Sequence, residues 1–397
     1  MLKMIILDKP YVSSFLQKTL EEMNVNVLKN EFTKELQLSD KISFVEKPSS
    51  IMMSAKDNNN LIYCTSENSI DWIMENLNFL DLPEKIKVFK DKVRFRELLK
   101  EIYPDFFYKE IKFEELDRVN IVELKMPFIL KPSIGFFSMG VYKLNNTEEW
   151  NKALDELKQE VKQFNDNFPL EVVNPDKFII EEYIDGQEFA IDAYYNNEGK
   201  PIILNILKHL FSSDTDVSDR IYITSKEIME RYQTVFLDFL SKMGNLISLK
   251  NFPVHIEVKV DSKDKVIPIE VNPMRFAGWC TTDMAYYAYG INVYEYFFSQ
   301  KEPDWDKILK DKKDEIYSIV IADIPKDVDV REIEIDYELL AAYFSNPLEI
   351  RRIDYQKHPV FGFIFAETKP NYWSEIDSIL KSDLKEFIRP LTTRKTP

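Results

Sequence analysis

Apolar and polar positions alternate along the chain in two periods, and together they predict a mixture of strands and helices. A short apolar run at 2–7 predicts a buried strand, and apolar residues at helical spacing over 11–23 predict an amphipathic helix after it. Strand-like runs at 24–28 and 61–64 follow, the second before another helical pattern. We therefore expect a small N-terminal α/β domain at residues 1–88.

The middle of the chain is dominated by extended runs. Three of them, 178–183, 188–195 and 201–207, follow one another with turn residues between them and predict a β-meander. A helical stripe near 225–248 then precedes two more strands, which begin at 254 and at 266 and are joined by the polar turn 261–265.

Beyond a central domain, 89–300, the sequence changes character. It becomes rich in charged residues and then predicts strands near 316–323 and 359–366 and a helix near 373–387. We expect a C-terminal α+β domain at 301–397. The fold class predicted for the whole chain is α/β, with α+β character at its end.

Charge and cysteine content exclude several classes of protein. The chain has 52 Lys and Arg against 68 Asp and Glu, a net charge of −16, so we expect no nucleic-acid partner. Cys64 and Cys280 are the two cysteines, too few for a disulfide framework. No run of about 18 apolar residues predicts a membrane segment, and the first residues do not resemble a signal peptide. We expect a cytoplasmic protein with no membrane association.

Candidate metal ligands lie on the last predicted hairpin. Strand alternation places His255 and Glu257 on one face, and Glu270 and Asn272 on one face of the next strand. The turn between the strands puts Glu257 opposite Glu270 or one residue from it, where like charges repel unless a cation lies between them. Carboxylate and amide oxygens suit Mg²⁺, so we predict a magnesium site.

A second candidate site is the segment KPSIGFFSMG, residues 131–140. Lys131 ends a strand, and the hydroxyls of Ser133 and Ser138 accompany the closely spaced Gly135 and Gly140. Glycine lets backbone N–H groups approach an anion, while hydroxyls and an ammonium add donors, so this loop could hold phosphate. An ordinary hairpin tip remains the alternative interpretation.

A third candidate is FIIEEYIDGQEF, residues 178–189. The stretch from Glu181 through Glu182 and Tyr183 to Ile184 could expose backbone groups for pairing with a purine. Glu188, after the Asp-Gly turn, could accept from ribose hydroxyls. A purely structural hairpin remains open here.

Taken in order, these segments resemble the ATP-grasp superfamily of ADP-forming ligases. The resemblance begins with Lys92 in DKVRFRELL, continues through Lys131 and the two segments above, and ends with HIEV and IEVNPMRFAG, over roughly 90–300. It implies an ATP-grasp fold with a Rossmann-like N-terminal domain and a phosphate-loop subdomain near 110–180.

The resemblance also implies how ATP and Mg²⁺ are bound. Lys92, Lys131 and the loop residues Ser133, Gly135, Ser138 and Gly140 would contact phosphates, and His209 lies where relatives place a group facing the triphosphate. The backbone of Glu182 to Ile184 would read the adenine, Glu188 would hold the ribose, and Glu181 is counted with them among the residues that bind the nucleotide. Mg²⁺ would be bound by Glu257, Glu270 and Asn272.

The implied reaction activates a substrate carboxylate as an acyl phosphate, which an amine then attacks. Arg275 and Lys131 would be the catalytic residues, and RFAGW at 275–279 further resembles ligases that join amino acids. The expected partners are therefore a small carboxylate and an amine, and a homodimer is left open. The alternatives are a regulatory nucleotide-binding protein with this fold, or a carboxylase or acyl-CoA synthetase of the same superfamily.

Overall fold

The structure is a computed structural model that describes residues 2–46, 59–134, 140–167, 177–213, 216 and 218–391. The helices of these residues are α1 (Ser14–Glu22), α2 (Glu31–Glu35), α3 (Ile70–Asn76), α4 (Leu82–Lys90), α5 (Lys92–Leu98), α6 (Thr147–Asn167), α7 (Lys226–Leu246), α8 (Met284–Tyr289), α9 (Val293–Ser299), α10 (Trp305–Lys310), α11 (Tyr337–Ala342) and α12 (Ser374–Lys381). Across the described ranges, none of the helices combines the length and the apolar character needed to cross a membrane.

The strands are β1 (Lys3–Ile6), β2 (Asn26–Leu28), β3 (Phe44–Val45), β4 (Leu61–Cys64), β5 (Tyr108–Lys112), β6 (Phe128–Pro132), β7 (Tyr142–Leu144), β8 (Lys177–Glu182), β9 (Gln187–Tyr195), β10 (Pro201–Leu210), β11 (Ile221–Ser225), β12 (Phe252–Val260), β13 (Val266–Pro273), β14 (Ile316–Asp323), β15 (Ile333–Ile335), β16 (Pro347–Arg352), β17 (Val360–Thr368) and β18 (Ile388–Pro390). Short 3-10 turns add Glu67–Ser69, Leu99–Glu101, Phe113–Arg118, Ile121–Glu123, Thr281–Asp283, Pro370–Tyr372 and Lys385–Phe387.

The N-terminal unit is a parallel sheet in the order β3-β2-β1-β4. Its first strand is apolar on both faces, and Met4, Ile5 and Ile6 are buried. Burial on both faces is typical of parallel sheets, whose connections run through helices. The strand–helix opening predicted from the sequence is confirmed.

Two antiparallel sheets form the rest of the main body. The smaller one has the order β5-β8-β6-β7, and α6 packs Trp150, Leu154 and Leu157 against its core. The larger one has eight strands in the order β13-β12-β9-β10-β11-β14-β17-β16, and α7 buries Phe236 and Leu240 in its core. Each helix places its apolar stripe toward buried side chains of its own core.

The predicted β-meander is wrong in one respect. Strands β9 and β10 pair as expected, but β8 pairs with β5 and β6 in the smaller sheet. Residues 183–186 therefore link two sheets and do not form a hairpin. Alternation of apolar residues reports which way side chains point, and it does not report which sheet a strand joins.

The C-terminal segment continues the larger sheet. Strand β14 pairs with β11 on one side and with β17 on the other, and Ile319, Val320 and Phe363 are buried in the shared core. A boundary at residue 300 thus falls between strands of one sheet. The limits of the three predicted domains stay predictions.

Candidate active site

The two glutamates predicted to bind metal lie directly across from each other. Strands β12 and β13 pair antiparallel, with Glu257 opposite Glu270 and His255 opposite Asn272. The Asn272 side-chain amide also donates to Glu270 Oε1 at 3.3 Å. Because like charges facing each other across a sheet are destabilising, this pair does not serve the stability of the hairpin.

The pKa values of these two carboxylates are shifted in opposite directions. Burial raises the pKa of Glu257 well above its usual range, and the carboxylates of Glu270 and Glu188 raise it further. Burial also opposes ionisation of Glu270, but the ammonium of Lys92, with Nζ 3.5 Å from Oε2, helps to lower the pKa of that group. The side chains remain 29% and 30% exposed, so the pair is accessible from solvent.

A buried carboxylate on the neighbouring strand contacts the face that carries the predicted metal ligands. Asp192 Oδ1 lies 2.8 Å from His255 Nδ1 and accepts the Ala277 N–H at 2.8 Å. The other ring nitrogen of His255 is 3.7 Å from Glu257 Oε1. His255 is thus held beside the predicted ligands, between Asp192 and Glu257.

Lys131 and Glu181 form a buried ion pair with a third residue, Arg96. Lys131 Nζ contacts Glu181 Oε1, and Arg96 Nε donates to Oε2 at 2.8 Å. Burial opposes ionisation of Glu181, but the Arg96 guanidinium and the Lys131 ammonium lower its pKa to about 2. Burial lowers the pKa of Lys131, against the attraction of Glu181, and the nearby charges of Arg96 and Lys92 lower it further.

The described ends of the predicted phosphate loop lie next to these cations. Ser133 is fully buried, its carbonyl accepts the Lys92 N–H at 2.8 Å, and its hydroxyl has no hydrogen-bond partner in the described part of the chain. Gly140 has a φ of +68°, which a residue with a side chain rarely adopts. Gly135 and Ser138 lie outside the described residues.

The predicted adenine-binding segment forms the link between the two sheets. The N–H of Glu182 donates to Phe107 at 3.0 Å, and the N–H of Tyr183 donates to Pro127 at 3.4 Å. Ile184 follows in the same link. Two of the predicted backbone donors thus already have partners. The bond of the Tyr183 N–H is the longer and weaker of the two, so adenine could replace it more easily.

Lysines from both sheets reach the ring of Tyr183. Lys143 Nζ on β7 lies 4.1 Å from the ring centroid, and Lys259 Nζ on β12 lies 5.2 Å from it. These cation–π contacts connect the smaller and the larger sheet at Tyr183.

Glu188 and His209 lie together. His209 Nδ1 is 3.0 Å from Glu188 Oε1, its Nε2 is 3.0 Å from the Ser218 carbonyl, and its ring stacks on Tyr222 with centroids 4.3 Å apart. Both ring nitrogens therefore have protein partners. These contacts favour a role in orienting Glu188, and the predicted contact of His209 with phosphate stays a prediction.

Arg275 is held by the N-terminal unit. Its Nη2 lies 3.1 Å from Glu67 Oε1, while Lys90 contacts the other oxygen of Glu67. Burial opposes ionisation of Glu67, but the ammonium of Lys90 and the guanidinium of Arg275 lower its pKa to about 2. The left-handed φ of Met274, +67°, turns the chain at the end of β13 just before Arg275.

The predicted site residues of the two sheets share one electrostatic environment. The pKa of Glu270 responds to Lys92, Glu67 and Lys131, and that of Glu257 responds to Glu188 and Arg275. Lys92, on helix α5, thus faces the metal hairpin and also bonds through its backbone to the phosphate loop. The structure brings these residues together at one site between the two sheets, which is called the cleft below.

Four residues of this site were missed from the sequence: Arg96, Glu67, Lys90 and Asp192. Glu67 belongs to the N-terminal unit, Lys90 ends helix α4, and Glu67 brings Lys90 and Arg275 together through long-range packing. Arg96 had one usable signal, because it lies one helical turn after Lys92 and therefore on a similar side of the helix.

A small recess lies between the N-terminal unit and the segment after β13. Its volume is about 10 Å³. The residues around it are uncharged: Tyr11, Val12, Ser13, Leu16, Tyr63, Thr65, Ala277, Trp279, Cys280 and Tyr294.

The donor set of the hairpin fits a magnesium ion. Over the described ranges, no group of three or more His, Cys, Asp or Glu side chains gathers in a way that could hold a metal. Glu257 and Glu270 with the amide of Asn272 form a smaller set. Mg²⁺ suits such a set, since it usually takes one or two carboxylates and completes its shell with water and substrate phosphates.

Residues 124–283 match the family model of the ATP-grasp domain. No curated protein matches the chain by sequence. An L-amino acid ligase from Bacillus licheniformis has a similar structure, with a TM-score of 0.69, 15% identity and 98% of each chain covered.

Two further solved structures are similar over most of their length. For a phosphoribosylglycinamide synthetase from Anaerococcus prevotii the TM-score is 0.59 at 18% identity, covering 98% of this chain and 99% of that chain. For a biotin carboxylase from Campylobacter jejuni it is 0.64 at 14% identity, covering 93% and 88%. At such identities, likeness establishes the fold and leaves the substrates open.

Proposed function

We propose that this chain, which carries an ATP-grasp domain at residues 124–283 and has the ATP-grasp fold, is an ADP-forming ligase that joins a carboxylate to an amine. The observation that carries the proposal is the opposed pair Glu257 and Glu270, which lies in the cleft beside Lys92 and near Lys131. Acids that repel each other next to buried cations form a site for a divalent cation with an anionic substrate.

In this proposal the phosphates of ATP lie along the cations of the cleft. Lys131 and Lys92 supply positive charge, and the hydroxyl of Ser133, which has no partner among the described residues, can donate to a phosphate oxygen. The low exposure of Lys131, with 6% of its side chain accessible, strengthens its interaction with an anion, because water screens it little.

Glu257, Glu270 and Asn272 would hold Mg²⁺. The ion would neutralise charge on the phosphates, as divalent cations do in phosphoryl transfer. The chain's own residues prepare this site: Lys92 keeps Glu270 ionised, and Asp192 fixes the ring of His255 beside Glu257.

The proposed place of the nucleoside is the other end of the cleft. The link from Glu181 to Ile184 would border the adenine, with Tyr183 already flanked by lysines from both sheets. Glu188 would accept from the ribose hydroxyls, and His209 holds one of its oxygens in place.

The proposed chemistry takes place in two steps. An oxygen of the substrate carboxylate attacks the γ-phosphorus of ATP, and the bond to the bridging oxygen breaks, so that ADP leaves. The amine then attacks the acyl carbon, loses a proton, and inorganic phosphate leaves with the carboxylate oxygen. Arg275, oriented by Glu67, would stabilise negative charge on the transferred phosphoryl group.

The substrates are proposed to bind near Arg275, toward the uncharged recess that Ala277 and Trp279 help to line. The substrates would be a small carboxylate and an amine, of amino-acid type. A cytoplasmic location and a homodimer remain expectations.

The test is release of ADP from Mg-ATP in the presence of pools of amino acids and other small carboxylates, with hydroxylamine added. An acyl phosphate is trapped by hydroxylamine as a hydroxamate. Hydroxamate that appears together with ADP in one pool supports the proposal and begins to identify the substrate. ATP binding without ADP release in any pool would favour a regulatory nucleotide-binding protein.

A further inference from the structure

Arg96 connects the two sides of the cleft. Its side chain is 3% exposed, its Nε donates to Glu181 Oε2 at 2.8 Å, and its Nη1 donates to the Pro268 carbonyl at 2.7 Å. Glu181 belongs to β8 of the smaller sheet and Pro268 to β13 of the larger one. The guanidinium also lies over the ring of Phe106, with 4.3 Å from Cζ to the centroid.

Glu181 alone does not balance the two cations that contact it. Its carboxylate is bound by two buried cations, Arg96 on Oε2 and Lys131 on Oε1. Buried ions are expensive to desolvate unless they are paired, and beyond Glu181 the ammonium of Lys131 interacts with the more distant carboxylate of Glu270. An anion bound directly at Lys131 would add a partner for this second cation.

The contacts of Arg96 and Lys131 indicate different roles for these two cations. Arg96 is engaged by a carboxylate and a carbonyl on different sheets, so its position is set from both sides, although its buried Nη2 has no hydrogen-bond partner among the described residues. Lys131 lies near the end of β6, two residues before Ser133, whose buried hydroxyl has no hydrogen-bond partner among the described residues. Of the two cations, Lys131 is therefore the one placed to meet an anion.

We infer that Arg96 is a positioning residue for the nucleotide phosphates: it holds Glu181, and through Glu181 the ammonium of Lys131, while fixing the spacing of β8 and β13 across the cleft. The inference rests on the proposed binding of ATP. It predicts a larger effect on phosphate binding than on nucleoside binding, because Arg96 holds the side chain of Glu181 and thereby Lys131, whereas the adenine is proposed to meet the backbone that follows Glu181.

The test compares the affinity of the full-length protein for ATP with its affinity for adenosine, both measured by titration calorimetry with Mg²⁺ present. Arg96→Met keeps most of the side-chain volume and removes both hydrogen bonds. We expect its Kd for ATP to rise at least about tenfold, the size of effect seen when a supporting contact is lost. The Kd for adenosine should change much less than the Kd for ATP, because adenosine has no phosphate to meet Lys131.

Arg351→Met is a matched control. Arg351 is also 3% exposed, and its Nη1 lies 2.6 Å from Asp283 Oδ2, whose side chain is fully buried. This variant should lower the thermal midpoint much as Arg96→Met does, and it should leave the Kd for ATP unchanged.

Arg96→Lys decides the question if Arg96→Met does not fold. Lysine keeps the charge and has a single nitrogen with which to reach both Glu181 and Pro268, so a weaker version of the same selective loss of ATP affinity is expected.

Equal losses of ATP and adenosine affinity in the Arg96 variants, or no loss of either, would overturn the inference and leave the proposed function standing. If the unaltered protein binds no ATP, the proposed function fails, and the inference fails with it.

Discussion

At the scale of single residues, the cleft depends on carboxylates whose ionisation is set by their neighbours. Glu257 and Glu270 face each other, yet their pKa values move in opposite directions, because Lys92 is paired with Glu270. Removing one of the two charges should therefore relieve repulsion while also removing a metal ligand.

Glu270→Gln should abolish ATP turnover with little change in stability. We expect the rate of ADP release to fall by about 100-fold or more, the size of effect typical when a group that stabilises charge in the transition state is removed. A coupled assay for ADP measures the turnover rate, and urea unfolding measures the stability. Glu110→Gln, at an exposed ion pair with Lys177, is the control and should keep its activity. Normal turnover by Glu270→Gln would refute the metal assignment.

Glu181 makes the stability of the protein depend on pH in the acid range. Its pKa is lowered from 4.5 to about 2 in the folded protein, so its contribution is present above the unfolded-state pKa and is lost as the pH falls from about 4.5 toward 2. The shift corresponds to about 3 kcal/mol.

As the pH is lowered from 5 to 3, the unfolding free energy of Glu181→Gln should fall less steeply than that of the unaltered protein. Urea titrations at each pH measure both. Some pH dependence should remain, because Glu67 also has its pKa lowered to about 2. Identical slopes in the two proteins would show that the ion pair of Glu181 does not contribute in this range.

At the scale of elements, the link between β8 and β9 determines how the two sheets meet. Gly186 in this link has a φ of +130°, and a Cβ atom there would lie 2.3 Å from the carbonyl oxygen of Val260. A side chain would therefore push the link away from the end of β12.

Gly186→Ala should lower the unfolding free energy by more than the roughly 1–3 kcal/mol that a residue in a disfavoured backbone region loses, since a steric clash adds to it. Gly290→Ala is the matched control, because Gly290 has a φ of +72° and a Cβ atom added there would meet no other atom within 4 Å. Urea unfolding of the two variants compares the effects. A smaller loss for Gly186→Ala than for Gly290→Ala would contradict the described path of the link.

Elements were predictable from the sequence where local pattern determines them. Alternation and the length of the turn predicted that Glu257 would face Glu270, and the pairing of β12 with β13 confirms it. The same kind of pattern assigned β8 to a meander with β9, which is wrong, because sheet membership depends on long-range packing. Arg96 and Glu67 were missed for the same reason: their partners are distant in sequence.

At the scale of the whole molecule, the C-terminal segment belongs to the main sheet. Strand β14 covers the edge of β11, and Ile319 and Val320 fill the core beside it. Ending the chain at residue 300 would expose the backbone groups of β11 and a large apolar surface, a combination that promotes aggregation.

We therefore expect residues 1–300 alone to be insoluble or to lack cooperative thermal unfolding, as followed by circular dichroism. A soluble fragment that unfolds at the temperature of the full chain would show instead that residues 301–397 form a separate domain.

Activation of the carboxylate by ATP can be tested directly by following the oxygen atoms of the carboxylate substrate. With the carboxylate identified by the hydroxamate screen and labelled with ¹⁸O at both oxygens, one turnover with the amine should transfer one labelled oxygen to inorganic phosphate. Mass spectrometry of the phosphate measures the label. Phosphate that carries one ¹⁸O for each product formed is the predicted result, because the acyl phosphate leaves its bridging oxygen on phosphorus; unlabelled phosphate would contradict activation of the carboxylate by ATP.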